Sequence, residues 1–184
     1  AASRAMKLER YDAAQEMYND LYRQNQRDGR ILMGRAILLQ KTGHVSEAIS
    51  AYEELLNIYP DNAEAVVNFA GLIRKEHPAM ALNKLLDLKE KYPDNTAVLA
   101  QLGITYADSG NFEDAFSNLS HAAQLDPNNP QHYYNLGVIS ERAHDTVKAI
   151  AFYEKALEID AVHGTGRTIS RDKIYDRLAV LRGR

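Results

Sequence analysis

Small residues recur along this chain at a nearly constant step. Ala48, Ala81, Ala115 and Ala149 are 33, 34 and 34 residues apart, Pro60, Pro93 and Pro127 keep the same step, and Ala14 extends the alanine series backward by 34. A period of this length means one supersecondary unit copied several times, each copy burying its apolar face against its neighbours. On that register the chain divides into repeats at about 1–28 (lacking most of a first helix), 29–62, 63–95, 96–129 and 130–163, followed by a short tail. Each full unit carries an apolar-periodic stretch, a turn, a second such stretch and a turn rich in Pro, Asp and Asn, which predicts a helical hairpin.

The matching residues have physical tasks. Ala36, Ala70, Gly103 and Gly137 in the first helices, and Ala48, Ala81, Ala115 and Ala149 in the second, are small where two helix backbones must approach. Leu39, Ile73 and Tyr106 in first helices, with Tyr18, Tyr52, Leu85, Leu119 and Tyr153 in second helices, are large enough to fill the space between layers. Gly43 and Gly110 fall between helices, where a left-handed backbone costs glycine little. Pro60-Asp61-Asn62, Pro93-Asp94-Asn95 and Asp126-Pro127-Asn128-Asn129 end one hairpin and offer capping side chains to the next.

The run Leu99, Leu102-Gly103, Tyr106, Ala115, Leu119, Ala122, Pro127, and again Tyr133, Leu136-Gly137, Ala149, Tyr153, Ala156, resembles the tetratricopeptide repeat, with Leu99 in the usual tryptophan's place. The resemblance covers essentially the whole chain. It implies an all-α fold: a right-handed superhelical solenoid of antiparallel hairpins, about four and a half units in one domain over 1–184, closed by a capping helix at 168–182. Three departures carry expectations. The third repeat is one residue short around Glu76-His77-Pro78, which tightens its turn. The fifth has Ser140 where the family places a bulky aromatic, and Ala161 in place of the closing proline, which leaves its end looser or continuing helically.

The concave face of such an array, built mainly from first helices, is the expected binding surface. The places that line it in the family are Met33 and Ile37, Val67 and Gly71, Ala100 and Ile104, then Tyr134 and Val138, none of them charged. A solvated helix face would carry Lys, Glu or Gln at several of these, so the stripe predicts a protein or peptide partner with apolar anchors, burial by curvature or by the tail being the alternative. Asn68, Gln101 and Asn135 hold equivalent places beside it. Primary amides both donate and accept, and the three resemble the amide ladder of O-linked N-acetylglucosamine transferases. The carboxylate clamp with which some relatives hold heat-shock chaperone tails is not reproduced: Met33, Gly34, Ile37, Ala97 and Gln101 stand at its places and only Asn68 fits. Arg74 and Lys75 could meet an acidic partner at the rim.

The tail places Ile174, Leu178 and Leu181 on one face of a helix, apart from Lys173 and Arg177. It is expected to cap the last repeat, with the alternative that its basic face contacts an acidic body, its own or a neighbour's. From Gly164 onward the local charge is +4, leaving −7 on the rest of a chain whose net charge is −3.

That balance argues against nucleic-acid binding, which requires clustered cations. Six scattered histidines lack metal-ligand spacing, and the carboxylates show no acid–base motif, so no catalytic residue, metal or cofactor is expected. The glycine-rich Gly164-Thr165-Gly166-Arg167 lacks a phosphate-loop ending and is expected to be a joint. Asn118-Leu119-Ser120 matches a glycosylation acceptor, but the register puts it inside a helix. No apolar run reaches the roughly 20 residues of a membrane span. Absence of cysteine leaves the compartment open; the cytoplasm is favoured, with the periplasm, or membrane association through an upstream segment, as alternatives. The reading that follows is a non-enzymatic scaffold or adaptor. Its alternatives are a regulatory or substrate-docking module of a larger enzyme, or a self-assembling protein using the partial first hairpin or the basic tail.

Overall fold

A computed structural model describes residues 1–163 and 169–183. The glycine-rich 164–167 stretch therefore lies outside the described residues. Among the described residues the chain forms eleven helices and no strand: α1 (Ala2–Lys7), α2 (Tyr11–Gln24), α3 (Gly29–Lys41), α4 (Val45–Ile58), α5 (Ala63–Ile73), α6 (Pro78–Lys91), α7 (Thr96–Asp108), α8 (Phe112–Leu125), α9 (Pro130–Arg142), α10 (Thr146–His163) and α11 (Arg171–Leu181). Its contacts fall into two compact units, Ala1–Lys84 and Leu85–Arg184.

The side chain that starts each first helix sits at one register position. Asp28, Asn62, Asn95 and Asn129 each accept a hydrogen bond from a backbone N–H in the first turn of α3, α5, α7 and α9. These are N–H groups that no helix can satisfy for itself. The Arg30 guanidinium, and then the bond from the Arg30 N–H, hold the Asp28 carboxyl down to about 2. Second helices stop at proline: α4, α6 and α8 each run 14 residues and end two residues before Pro60, Pro93 and Pro127. Where Ala161 replaces that proline, α10 continues to 18 residues and ends at His163.

The turns inside the hairpins divide into two kinds. Glu9, Gly43, Gly110 and His144 occupy equivalent places with φ of 56°, 81°, 78° and 61°. Beyond each, a backbone N–H reaches back five residues, from Arg10 to Ala5, His44 to Leu39, Asn111 to Tyr106 and Asp145 to Ser140. Such closures need one left-handed residue to turn the chain after the helix. The third hairpin is the exception, because its missing residue is the left-handed one. There α5 stops after 11 residues, Arg74 stays right-handed, and the His77 N–H closes on the Ile73 carbonyl at 2.7 Å.

In the first unit Ala14, Tyr18, Ala36, Ala48, Tyr52, Leu55, Phe69 and Ala70 are buried; in the second, Leu99, Leu102, Ala115, Leu119, Leu136, Ala149, Tyr153 and Ala156 are. The small first-helix residues are where their task requires them. A Cβ on Gly103 would lie 2.9 Å from the Ala115 carbonyl oxygen, and one on Gly137 would lie 2.6 Å from the Tyr153 ring. Two of the expected layer fillers, Leu39 and Tyr106, are only half-buried. Ser140 is buried with its hydroxyl unpartnered by protein, where the family's aromatic would have filled space instead.

Helix α11 packs on α10 through Ile174 and Leu178, which join Ile169, Ala149, Tyr153 and Ala156 in one apolar cluster. Its arginines meet acids of the same unit: Arg171 pairs with Asp160, Arg177 with Glu141 and Arg182 with Glu154. Three of the tail's basic side chains are thus paired with acids of α9 and α10.

Candidate functional site

In the first unit, Met33 and Ile37 of α3 line one open groove of about 670 Å³. Its other walls are Ala2 and Met6 of α1, Tyr18 and Leu21 of α2, and Asn62 and Glu64 at the start of α5. At the edge of this groove the Tyr18 ring packs directly on the α3 backbone because residue 34 is glycine: a Cβ there would lie 2.3 Å from the ring. Val67, Asn68, Gly71 and Arg74 lie along α5, all half-buried, and do not line that groove. Arg74 turns its guanidinium onto the Gly71 carbonyl at 2.6 Å.

In the second unit, Ala100, Gln101 and Ile104 lie along α7 and Tyr134, Asn135 and Val138 along α9, again half-buried. Ala100 packs on the cluster of Ala107, Ala115, Leu119 and Leu136. Tyr134 and Val138 pack against the cluster that includes Ile174 and Leu178, so the tail shields part of the stripe there. The two also line a recess of about 320 Å³ with Glu141, Arg142, Tyr153 and Arg177. Burial, and then the neighbouring Tyr134, push the Tyr153 hydroxyl up to about 12.

The three amides each have an intramolecular partner. Asn68 hydrogen-bonds the hydroxyl of Tyr52, which itself donates to Gln40 Oε1 at 2.8 Å. Gln101 reaches Thr105 Oγ1 at 3.5 Å, and Asn135 Oδ1 accepts from Gln131 Nε2 at 3.0 Å. A primary amide has four hydrogen-bonding positions, so one internal bond leaves capacity for a ligand while fixing the side chain's orientation.

Among the described residues no group of three or more His, Asp or Glu converges as a metal site would require. His132 is buried with neither ring nitrogen hydrogen-bonded, and burial pushes its imidazole below the usual range despite Asp126 nearby. Asn118 of the glycosylation-like triplet is buried on α8, donating to the Asp114 carbonyl and accepting from Lys89. Among the described residues no helix is long and apolar enough to cross a membrane.

Tetratricopeptide repeat family models match residues 1–63 and 94–161. The chain belongs to the tetratricopeptide repeat family. Repeats of this family are protein-interaction modules. Residues of the chain are 29% identical over 134 positions to a probable UDP-N-acetylglucosamine–peptide N-acetylglucosaminyltransferase SPINDLY of Hordeum vulgare, covering 68% of this chain. Over 171 positions, 91% of this chain, they are 25% identical to a DnaJ homolog subfamily C member 7 homolog of Schizosaccharomyces pombe. The chain spans only 14% and 31% of the length of those two relatives. Among solved structures, the type IV pilus biogenesis factor PilW superposes with a TM-score of 0.85 at 20% identity, over 99% of this chain and 83% of that one. The Thermus thermophilus tetratricopeptide protein TTC0263 gives 0.80 at 22%, covering 100% and 96%. YrrB, described as having an unusual peptide-binding site, gives 0.64 at 21%, covering 88% and 84%.

Sequence reasoning did not single out Glu141 or Arg177 as site residues, and it read Tyr153 as core alone. Glu141 holds the register place of Gln40, Arg74 and Ala107, and its acidity beside an otherwise uncharged stripe was the available signal.

Proposed function

We propose that this chain is a non-catalytic scaffold or adaptor whose first helices receive a partner protein or peptide bearing apolar anchors, in support of a multiprotein assembly. The observation that carries this reading is the state of eight uncharged positions, Met33 and Ile37, Val67 and Gly71, Ala100 and Ile104, Tyr134 and Val138. All are half-buried, neither sealed in the core nor fully solvated. In each unit, apolar side chains left half-covered along first helices favour a ligand that completes their burial. The open groove beside Met33 and Ile37 supplies room for it.

The test is an affinity pull-down from the source organism with the wild-type chain beside an Ile104→Glu/Val138→Glu variant and a Met33→Glu/Ile37→Glu variant. Loss of the recovered partner with helicity intact by circular dichroism is the expected result. Undiminished recovery by both variants would place the interface elsewhere.

A second reading, a substrate-docking module of a larger enzyme, draws support from the barley relative, of which this chain matches only 14%. Under it, appending the chain to an unrelated glycosyltransferase domain redirects modification toward whatever the pull-down recovers. Self-association through the first hairpin or α11 is checked by light scattering over a concentration range, where a monomer at high concentration rules it out.

A further inference from the structure

The recess on α9 is small, about 320 Å³. Tyr134 and Tyr153 wall it with ring centroids 6.0 Å apart and planes inclined at 46°, and Val138 adds an apolar surface. At its edge the Glu141 side chain is only 17% exposed. Tyr153 Oη donates to Glu141 Oε2 at 2.8 Å, which fixes the carboxylate. Arg177 approaches from α11 in fork geometry, Nε donating to Oε2 at 3.1 Å and Nη2 pairing with Oε1. A fixed, partly buried carboxylate beside aromatic rings is the arrangement that suits a guanidinium, which binds carboxylates through two parallel bonds and stacks on π faces.

Two features separate this pair from the forces that seat α11. Ile174 and Leu178 hold the helix by burial, and Arg171 and Arg182 hold it on Asp160 and Glu154. The Arg177 side chain is 51% exposed, so water competes for it and it can leave while the helix stays. Arg142, on the rim, is committed to Asp108 Oδ1 at 3.0 Å and the Ala107 carbonyl at 2.7 Å. In the first unit the equivalent tyrosine, Tyr52, donates to Gln40, a neutral amide, so an anionic acceptor at this register place belongs to α9.

We propose that the Tyr134–Tyr153–Glu141 recess is a subsite for an arginine side chain of the bound peptide, and that Arg177, which lines the recess and holds Glu141, is displaced from that carboxylate when the ligand's arginine enters. This rests on the peptide-binding reading of the first helices and gives it a chemical preference: a ligand with a guanidinium next to its apolar anchors. Glu141 determines that specificity.

The test uses the full chain and N-acetyl-arginine methylamide as probe, followed by NMR of the Tyr134 and Tyr153 rings and the Val138 methyls. In an Arg177→Gln variant these signals shift saturably, with a midpoint at least about tenfold below that of wild type, since the internal competitor is gone. The citrulline analogue, equal in shape but uncharged, produces no such shift, and adding Glu141→Gln abolishes the response. Arg177→Lys, which keeps the charge but not the fork, falls between wild type and Arg177→Gln and serves if the latter is poorly folded. Equal responses in wild type and variant, an equal response to citrulline, or none in either variant would overturn the proposal. Such a failure, with the pull-down still lost on mutation of Ile104 and Val138, removes the subsite and leaves the concave-face reading standing.

Discussion

The same register places on α3 and α9 are met by different neighbours. Beside α3 stands α1, six residues long, which buries only Ala2 and Ala5, and Met33 and Ile37 face a groove of about 670 Å³. Beside α9 stands α11, which buries Ile174 and Leu178 and sets Arg177 on Glu141; Tyr134 and Val138 keep a recess of about 320 Å³. The side chain at a lining position decides its chemistry, but the apolar weight of the adjoining helix decides how much of it a ligand can reach.

The largest expected effect tests that difference in weight. Ile174 is 0% exposed, and Ile174→Ala removes buried methylenes and leaves a cavity, costing about 3 kcal/mol. Ala5→Gly in α1 removes one methyl and adds backbone freedom, costing no more than about 1 kcal/mol. Urea unfolding with hydrogen exchange over α10 and α2 measures both. Equal losses would mean that α1 and α11 hold their neighbours alike, and the comparison would fail.

A second contrast lies in two glycines. A Cβ at Gly137 meets Tyr153 at Cδ1, Cε1 and Cγ, near the root of a ring whose hydroxyl is tied to Glu141, so neither end of that side chain can yield. A Cβ at Gly34 meets Tyr18 at Cε1, Cζ and Oη, the far end of a ring bordering an open groove, which can swing aside. Gly137→Ala is therefore expected to cost about 2 to 3 kcal/mol and Gly34→Ala about 1 kcal/mol, by thermal unfolding. A larger loss for Gly34→Ala would show that the groove wall is as rigid as the recess.

Much of this was legible in the sequence, because the period carries the positions of the hairpins, their caps at Asn62, Asn95 and Asn129, and the stop of α4, α6 and α8 before proline. At Ala161 the sequence left two outcomes open, a looser end or a continuing helix, and α10 continues through His163. What escaped was pairing across the register. The bond that Asn68 donates to Tyr52 joins one hairpin's second helix to the next hairpin's first, and the amides read as ligand-facing are also internal partners. The apolar seat of α11 was legible in Ile174 and Leu178, but the acids that its arginines meet were not: they lie 11, 36 and 28 residues away, and no periodicity links them. The left-handed backbone of Glu9 and His144 went unread, although both fall at the place of Gly43 and Gly110.

Acid should distinguish the two units further. His132 is buried in the second unit, and burial pushes its imidazole below 6.5, Asp126 at 3.8 Å from Nε2 only partly opposing this. The unfolded chain therefore binds the proton more readily than the folded one, so the stability that depends on a neutral His132 is complete above about pH 6.5 and is lost as pH falls below it. The protection factors of α9 amides, exchange rates taken relative to the intrinsic rate at each pH, should fall between pH 7.5 and 5.5, and His132→Phe should remove that dependence. The same loss of protection in the His132→Phe protein would assign it to other groups.

The smallest effect concerns how the hairpins turn. His144 holds φ of 61° at the place where Gly43 and Gly110 hold 81° and 78°. The left-handed region costs a residue with a Cβ roughly 1 kcal/mol, and His144 is exposed, so its side chain recovers little by packing. His144→Gly should stabilise the α9–α10 hairpin by about 0.5 kcal/mol, the relief of backbone strain being partly offset by the greater freedom of glycine in the unfolded chain. Gly43→His should weaken the α3–α4 hairpin by about the same amount, since nothing lies within 4 Å of a Cβ at that glycine and strain is the whole difference. If His144→Gly lowers the melting temperature instead, the imidazole makes an interaction that outweighs its backbone, and the two hairpins turn alike for different reasons.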